Sequence, residues 1–316
     1  MPGLDSSAIR MAHFSDIHIT TDGCTWSRPD WFNKRLSAWV NLRLFGRGYR
    51  FRHAVRVLTA LVKDFKDRNY DRLVFSGDAT ALGFKEEVAR AAALIGVDNP
   101  DLPPGLAVPG NHDYMTRHAA AGGFFEHSFA PWQQGERIGD AVYPFAQRVG
   151  PVWLIAVNSA TPNRWAWDAS GRVGPEQLDR LERLLDKLEG GPRVLVTHYP
   201  VWIADGRRER RIRALRDLDD LLDICVRGGI SLWLHGHRHH NYHTPPFEQV
   251  PFPVICAGSA TQRGRWAYKD YTLVGHRLTV VTRMFDSEKN AFVDGRTYQL
   301  ELRTTPSAAL EATPGG

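Results

Sequence analysis

The chain has 316 residues, of which 43% are hydrophobic and 24% are charged. These values are typical of globular proteins and exclude a chain that is disordered throughout. No run of eighteen apolar residues occurs, and the N-terminus lacks a basic segment followed by an apolar one, so the sequence predicts a protein that is neither secreted nor membrane-spanning. Cys24, Cys225 and Cys256 are far apart and odd in number, and we expect reduced thiols in a cytoplasmic protein.

The net charge is +5, and the basic residues are concentrated in one part of the chain. From Trp31 to Lys63 there is no aspartate or glutamate, whereas eight residues of this stretch are lysine or arginine. Clustered positive charge of this kind favours an anionic partner, such as a phosphorylated metabolite, a nucleic acid or a lipid surface.

Apolar runs and amphipathic segments alternate through the first 235 residues. The pattern predicts strands over residues 9–15, 71–77, 105–111, 151–159, 192–198 and 230–236. It predicts helices over residues 51–68, 84–97, 175–190 and 211–229. Because such alternation is typical of β-α-β units, we expect one α/β domain that spans residues 1–303.

Beyond Pro253 the pattern changes to apolar runs separated by turns, without a helix. We predict successive antiparallel strands over residues 253–259, 267–277, 278–285 and 297–302 that complete the sheet. Residues 304–316 are small, polar and rich in proline and glycine, and we expect this tail to be disordered.

Polar residues with metal-binding or acid–base chemistry follow five of the predicted strands. In chain order they are Asp16 and His18, Asp78, Asn111 with His112 and Asp113, His198, and the histidines of WLHGHRHHNYH at residues 233–243. Ligands of open α/β sheets bind at the carboxyl ends of strands, and alternation along an extended segment would place Asp16 and His18 on one face. One such residue alone is more often a cap or turn residue, but five strand ends in succession favour a shared site.

Carboxylate, amide and imidazole groups without a thiolate form a ligand set for Mn²⁺, Fe or Zn²⁺. Seven or eight candidate ligands are too many for one ion. Two ions about 3.5 to 4 Å apart, sharing a carboxylate and a water, would use them all. The sequence therefore predicts two divalent metal ions, with Mn²⁺ preferred and Fe or Zn²⁺ as alternatives.

The motifs DIH, GDAT, GNHD, THYP and GHRH, in this order, resemble those of the calcineurin-like metallophosphoesterases over residues 10–260. The resemblance implies an α/β fold, a four-layer α-β-β-α sandwich of mixed sheets with a C-terminal antiparallel portion. It also implies a dinuclear metal site at the edge of the sheet. There, a hydroxide shared by the two ions would hydrolyse a phosphodiester or pyrophosphate bond.

Carried over position by position, the resemblance implies two sets of metal ligands that share Asp78. One set is Asp16, His18, Asp78 and His239, and the other is Asp78, Asn111, His198 and His237. His235 stays an alternative ligand because strand alternation would also allow it inward, while His240 and His243 are interpreted as loop residues. His112 is implied to supply a proton or a positive charge at the leaving oxygen, with Asp113 orienting its imidazole.

The chain departs from compact members of that family between the first two motifs, where 62 positions separate Asp16 from Asp78. The excess is a basic, aromatic insert at about residues 24–52. If the insert is helical from Phe32, one face carries Phe32, Leu36, Trp39, Val40 and Leu44. Such a segment indicates contact with an anionic membrane surface through residues 31–52, or a lid for an acyl chain. The alternative is that its aromatic residues pack on the domain.

The insert is similar to the corresponding region of family members that hydrolyse UDP-2,3-diacylglucosamine in lipid A synthesis. We therefore expect a phosphorylated small molecule or a lipid-linked nucleotide as substrate, for a cytoplasmic enzyme that is peripheral at the cytoplasmic face of the membrane. The alternatives are a soluble phosphodiesterase for cyclic nucleotides or glycerophosphodiesters, and a non-catalytic scaffold that binds a membrane or a partner. Nucleic acid is not expected as a partner because the motif loops do not continue the basic charge.

A second basic patch, residues 207–213, is interpreted as the exposed start of the helix over 211–229, with phosphate or nucleotide binding as the alternative.

Overall fold

The computed structural model describes residues 8–303, so the tail that is predicted to be disordered lies outside the described residues. The strands are β1 (Ile9–Phe14), β2 (Arg72–Phe75), β3 (Gly105–Ala107), β4 (Glu136–Arg137), β5 (Phe145–Val149), β6 (Val152–Ala156), β7 (Arg193–Val196), β8 (Ile230–His235), β9 (Tyr242–Thr244), β10 (Val254–Cys256), β11 (Ala267–Val274), β12 (Arg277–Asp286) and β13 (Ala291–Glu301). The α-helices are α1 (Lys34–Leu44), α2 (Arg47–Phe51), α3 (Ala54–Asp67), α4 (Lys85–Ile95), α5 (Arg117–Ala121), α6 (Phe124–Phe129), α7 (Pro175–Lys187) and α8 (Leu218–Arg227).

The strands form two mixed sheets. The first has the order β13-β12-β11-β1-β2-β3, in which β1, β2 and β3 are parallel and β11 to β13 are antiparallel. The second has the order β4-β5-β6-β7-β8-β10-β9, in which β6, β7, β8 and β10 are parallel. The predicted mixed sheets and antiparallel C-terminal portion are therefore confirmed.

The two sheets share one apolar core, and helices cover their outer faces. Val74 and Leu106 of the first sheet are buried in the same cluster as Val194 and Leu232 of the second. Helices α3 and α4 pack on the other side of the first sheet, and α7 and α8 pack on the other side of the second. Strands β6 and β8 are buried along their whole length because they are covered on both faces, which explains their nearly continuous apolar sequences. The layers make the four-layer α-β-β-α sandwich that the resemblance implies.

Two predictions about the second sheet and its helices are wrong, and one hairpin was missed. Helix α8 begins at Leu218 rather than at residue 211, since the backbone before it pairs with residues 169–171, where the N–H of Arg216 donates to the Gly171 carbonyl at 3.0 Å. Strand β10 pairs in parallel with β8 and does not continue the antiparallel strands of the first sheet. The short β4–β5 hairpin was not predicted. Strands of two or three residues carry too little periodicity to reveal their partners.

The insert forms two helices, α1 and α2, separated by Gly46, which has a left-handed backbone with φ of 78°. The side of α1 that faces the domain carries Arg35, Ala38, Trp39 and Leu42, spaced as i, i+3, i+4 and i+7. Phe32 and Leu44, which the sequence places with Trp39 on one apolar face, are 91% and 73% exposed, whereas Trp39 lies on the side of the domain. The five apolar residues therefore do not share one face, because a buried arginine, which a hydrophobic pattern counts as polar surface, belongs to the packed side of α1.

Beneath the insert, the carboxyl group of Glu87 is buried at the start of α4. Its Oε2 accepts hydrogen bonds from the backbone N–H groups of Leu82 (2.8 Å) and Phe84 (3.4 Å), and its Oε1 has no partner among residues 8–303. Burial raises the pKa of Glu87 from its ordinary value to about 8. Glu87 therefore holds a proton in the folded protein over a pH range in which the unfolded chain has lost it.

We expect this proton to make stability depend on pH. Between the ordinary pKa of 4.5 and the folded value of about 8 the unfolded chain binds fewer protons, so the free energy of unfolding falls as pH rises. Glu87→Gln should flatten that fall in urea unfolding curves measured between about pH 5 and about pH 8. Glu86→Gln is the control, because it makes the same substitution at a half-buried neighbour. If the free energy of unfolding fell equally with pH in the wild type and in Glu87→Gln, the buried proton would not reside on Glu87.

Candidate metal centre

The motif loops meet at the carboxyl ends of β1, β2, β3, β7 and β8, as the sequence predicts. The first two loops are joined through their backbones, since the N–H of Asp16 donates to the Gly77 carbonyl at 2.9 Å and that of His18 donates to the Asp78 carbonyl at 3.1 Å. The GNHD loop approaches so closely that a Cβ on Gly110 would overlap the Asp78 carboxylate. Glycine at this position is thus a condition for the close approach of the two loops.

Five residues of these loops have a left-handed backbone. The φ angles are 55° for Asp16, 44° for His18, 59° for Asp78, 67° for His237 and 55° for His239. Strand β1 ends at Phe14, so the expectation that Asp16 and His18 share the face of an extended segment is wrong. Their side chains converge through this unusual backbone instead.

Four side chains form a first cluster in which each offers one ligand atom. Asp16, His18, Asp78 and His239 place these atoms within 4.8 Å of one another. The Nε2 atoms of His18 and His239 are 3.1 Å apart, and His239 Nε2 is 3.2 Å from Asp16 Oδ1. Ligand atoms at about 2.1 Å from one ion are themselves about 3 to 3.5 Å apart, so this cluster has the dimensions of a metal site.

A second cluster lies on the other side of Asp78. The Oδ2 atom of Asp78 is 3.5 Å from His198 Nε2 and 3.6 Å from His18 Nε2, so it faces both clusters. Asn111 Oδ1 is 3.2 Å from His198 Nε2 and 2.9 Å from His237 Nδ1. The structure thus brings together all seven residues that the resemblance implies as ligands, in the two sets expected.

The hydrogen bonds around the clusters fit a cation site. His18 and His198 each turn Nδ1 to a backbone carbonyl, of Thr80 (3.1 Å) and Ser76 (2.7 Å), which leaves Nε2 facing the clusters. Asp16 Oδ1 is buried and accepts no hydrogen bond from residues 8–303. A buried carboxylate oxygen without a donor is costly unless a cation faces it, so the residues present fit the metal ions.

The charge state of Asp78 also fits a metal ligand. Burial alone would raise the pKa of Asp78, but the nearby imidazoles of His198 and His112 outweigh it and hold the pKa well below the usual range. The carboxylate between the two clusters is therefore ionised, as a bridging ligand must be.

His112 lies at the cleft, but Asp113 does not orient it. The imidazole Nδ1 of His112 is 2.8 Å from the Ala81 carbonyl. The Asp113 carboxylate instead accepts from the backbone N–H groups of Ala79, Thr80 and Gly110 at 3.2, 3.0 and 2.9 Å. The expected contact is corrected accordingly: Asp113 ties the GDAT loop to the GNHD loop.

The remaining histidines of the GHRH region lie outside the two clusters. His235 ends β8, fully buried, with Nδ1 at 2.9 Å from the Gly236 carbonyl. His240 lies in a loop at the cleft, as predicted. His243 is in β9 and stacks on Tyr298 with ring centroids 4.1 Å apart, so its interpretation as a loop residue is wrong.

The cleft in front of the clusters has a volume of about 450 Å³ and is rich in arginine. Its arginines are Arg47, Arg50, Arg213, Arg238 and Arg265. Two of them, Arg47 and Arg50, come from the insert, which sequence analysis counted as basic without assigning a role at the centre. Phe51, also of the insert, packs edge-on against His18 with ring centroids 4.7 Å apart. The only sequence signal for this contact is the clustered basic charge before α3.

Two clusters of this composition on a two-sheet α/β sandwich define a metal-dependent hydrolase of phosphoesters. The family model of calcineurin-like phosphoesterases matches residues 9–241, and the chain belongs to that family. No curated protein sequence matches the chain significantly.

Solved structures share the fold at low sequence identity. A dimetal phosphatase from Danio rerio is 12% identical with a TM-score of 0.65, and the match covers 93% of this chain and 99% of that one. Purple acid phosphatase PPD1 from yellow lupin (Lupinus luteus) seeds is 14% identical with a TM-score of 0.58, covering 94% of this chain and 54% of that one. GAP50, described as the anchor in the inner membrane complex of Plasmodium, is 13% identical with a TM-score of 0.54, covering 94% and 89%.

Proposed function

We propose that the protein cleaves a phosphodiester or pyrophosphate bond of a lipid-linked substrate such as UDP-2,3-diacylglucosamine, at a centre of two divalent ions. The proposed ligands are Asp16, His18, Asp78 and His239 for one ion and Asp78, Asn111, His198 and His237 for the other. The proposed metal is Mn²⁺, and carboxylate, amide and imidazole donors without thiolate also accept the alternatives Fe and Zn²⁺. Bound there, the ions would polarise a phosphoryl oxygen and lower the pKa of a coordinated water.

The observation that carries the lipid proposal is a cavity of about 580 Å³ between the insert and the domain. It begins beside His18, and its lining combines Trp26, Trp39 and Leu42 of the insert with charged side chains, among them Arg43, Arg52 and Arg90. A substrate whose phosphoryl group lies at the ions could therefore extend an apolar chain along the aromatic part of this cavity. Burying such a chain favours binding by roughly 0.8 kcal/mol per methylene.

The outer side of the insert supports contact with an anionic membrane. Phe32, Leu44 and Phe45 are exposed, and Arg43 beside them is also exposed. Apolar side chains next to basic ones are typical of segments that settle into the headgroup region of a bilayer. No helix within residues 8–303 is long and apolar enough to cross a membrane. We propose a peripheral enzyme at the cytoplasmic face.

Two other functions remain alternatives. A soluble phosphodiesterase for cyclic nucleotides or glycerophosphodiesters would use the same centre and leave the cavity under the insert unused. A scaffold role has a precedent in GAP50, which is described as an anchor. The scaffold alternative is disfavoured by the complete set of seven candidate ligands, because a scaffold has no need of the unpartnered Asp16 Oδ1.

The deciding experiment is hydrolysis by the Mn²⁺-loaded protein of UDP-2,3-diacylglucosamine, 3′,5′-cyclic AMP and bis(p-nitrophenyl) phosphate, with Asp78→Ala as the blank. We expect preference for the lipid nucleotide. Replacing Phe32, Leu44 and Phe45 by serine should reduce sedimentation with anionic vesicles, whereas Val226→Ser, an exposed apolar residue of α8, should not. Cleavage of the soluble diesters alone would reject the lipid proposal in favour of the soluble phosphodiesterase.

A further inference from the structure

Arg47 of the insert reaches the cleft in front of the metal clusters. It is the first residue of α2, and one terminal nitrogen of its guanidinium lies 2.9 Å from His112 Nε2. Its Nε is buried and has no hydrogen-bond partner among residues 8–303. Asp78 and Asn111 line the same cleft, so the guanidinium faces the space in which a phosphoryl group would lie.

The direction of the contact between Arg47 and His112 follows from their hydrogen-bonding groups. Arginine can only donate. His112 Nδ1 is next to the Ala81 carbonyl, so this nitrogen carries the hydrogen and Nε2 is the acceptor. In this arrangement the cleft-facing nitrogen of His112 accepts a hydrogen bond from Arg47.

The backbone around Arg47 is held from two sides. The carbonyl of Arg50 accepts a hydrogen bond of 2.7 Å from the N–H of Arg263, and Phe51 is buried against the ring of His18. At the other end of the insert, Arg35 donates to the carbonyls of Leu82 (3.0 Å) and Gly83 (2.8 Å). A guanidinium on a backbone fixed in this way loses little freedom when it binds a ligand.

Among residues 8–303, Arg47 has no ion-pair partner. The carboxylates of Asp78 and Asp16 act on it, but none lies within 4.0 Å of its nitrogen atoms. A largely buried cation without an ion-pair partner is costly, and phosphate oxygens are the acceptors that a guanidinium matches best.

We infer that Arg47 binds a non-bridging oxygen of the substrate's phosphoryl group, and that the contact with His112 holds the Arg47 guanidinium in place. The insert then supplies part of the catalytic apparatus as well as the proposed lipid site. This inference rests on the proposed phosphoryl chemistry but not on the identity of the lipid substrate. It can therefore be tested with inorganic phosphate and with bis(p-nitrophenyl) phosphate.

In the Mn²⁺-loaded protein, Arg47→Ala should lower kcat/KM for the chromogenic diester by about 100- to 1,000-fold. It should also weaken binding of inorganic phosphate, measured by calorimetry, by about 10-fold or more, with the bound Mn²⁺ unchanged. Arg47→Lys should keep part of the rate and part of the phosphate affinity. Added guanidinium ion should partly restore the activity of Arg47→Ala. Unaltered phosphate affinity in Arg47→Ala would overturn the inference, whatever the result with the lipid nucleotide.

A double-mutant cycle tests the link to His112. If the contact positions Arg47, then Arg47→Ala combined with His112→Asn should lose less rate than the product of the two single losses. Single losses that multiply in the double variant would overturn the positioning contact. Arg28→Ala is the matched control, since Arg28 is an exposed arginine of the same insert that lines neither cavity.

Discussion

Asp78→Asn is expected to lower kcat/KM by about 1,000-fold or more while the protein stays folded. Asp78 Oδ1 accepts the backbone N–H of His112 at 2.8 Å, and an asparagine can keep that bond. Oδ2 faces both His18 and His198, and an amide nitrogen in its place repels a cation. Elemental analysis should therefore show fewer than two ions per chain, with a circular dichroism spectrum like that of the wild type.

The control for this variant is Asp179→Asn, which changes an exposed carboxylate of α7 that pairs with the exposed Arg183. It should bind metal and hydrolyse substrate like the wild type. Full metal content and full rate in Asp78→Asn would refute the assignment of Asp78 as the shared ligand.

Arg35→Met is expected to lower the free energy of unfolding by about 3 to 5 kcal/mol. Arg35 is 2% exposed, pairs with the largely buried carboxylate of Asp30, and donates to the carbonyls of Leu82 and Gly83. Its guanidinium carbon also lies 3.9 Å from the centre of the Phe84 ring. Methionine fills much of the volume but leaves a buried carboxylate without its cation and two carbonyls without donors.

A double variant separates the cost of the unpaired Asp30 carboxylate from the other effects of losing Arg35. Asp30→Asn combined with Arg35→Met removes both charges, so it should be more stable than Arg35→Met alone. Arg43→Met is the control, since Arg43 is exposed and its partner Asp22 is fully exposed. Thermal unfolding with limited proteolysis of the insert measures the effect, and a stability loss no larger than that of Arg43→Met would contradict the buried role of Arg35.

The convergence of the candidate ligands could be predicted from the sequence because short local motifs carry them. A strand followed by a small residue and a ligand, as in GDAT and GNHD, fixes both the residue type and its place at a sheet edge. The contact of Asp113 was missed for the opposite reason, since its partners are backbone N–H groups of a loop more than thirty residues away, and no pattern in the sequence encodes them.

The buried arginines of the insert could not be predicted for a similar reason. A hydrophobic pattern treats every arginine as solvated, yet Arg35 forms part of the packed side of α1 and Arg47 points into the cleft. Whether an arginine is buried depends on carboxylates and carbonyls that the fold brings to it from distant positions. The break at Gly46 was likewise hidden, because glycine alone does not distinguish a kink from the end of a helix.

The left-handed backbone of five loop residues costs folding free energy at the positions that supply candidate metal ligands. Each non-glycine residue in that conformation costs on the order of 1 kcal/mol, and Asp16, His18, Asp78, His237 and His239 all adopt it. Binding of ions to the folded form alone would offset that cost. A lineage that lost hydrolysis but kept the fold would therefore be free to replace these five residues with glycine or asparagine, which adopt a left-handed backbone at lower cost.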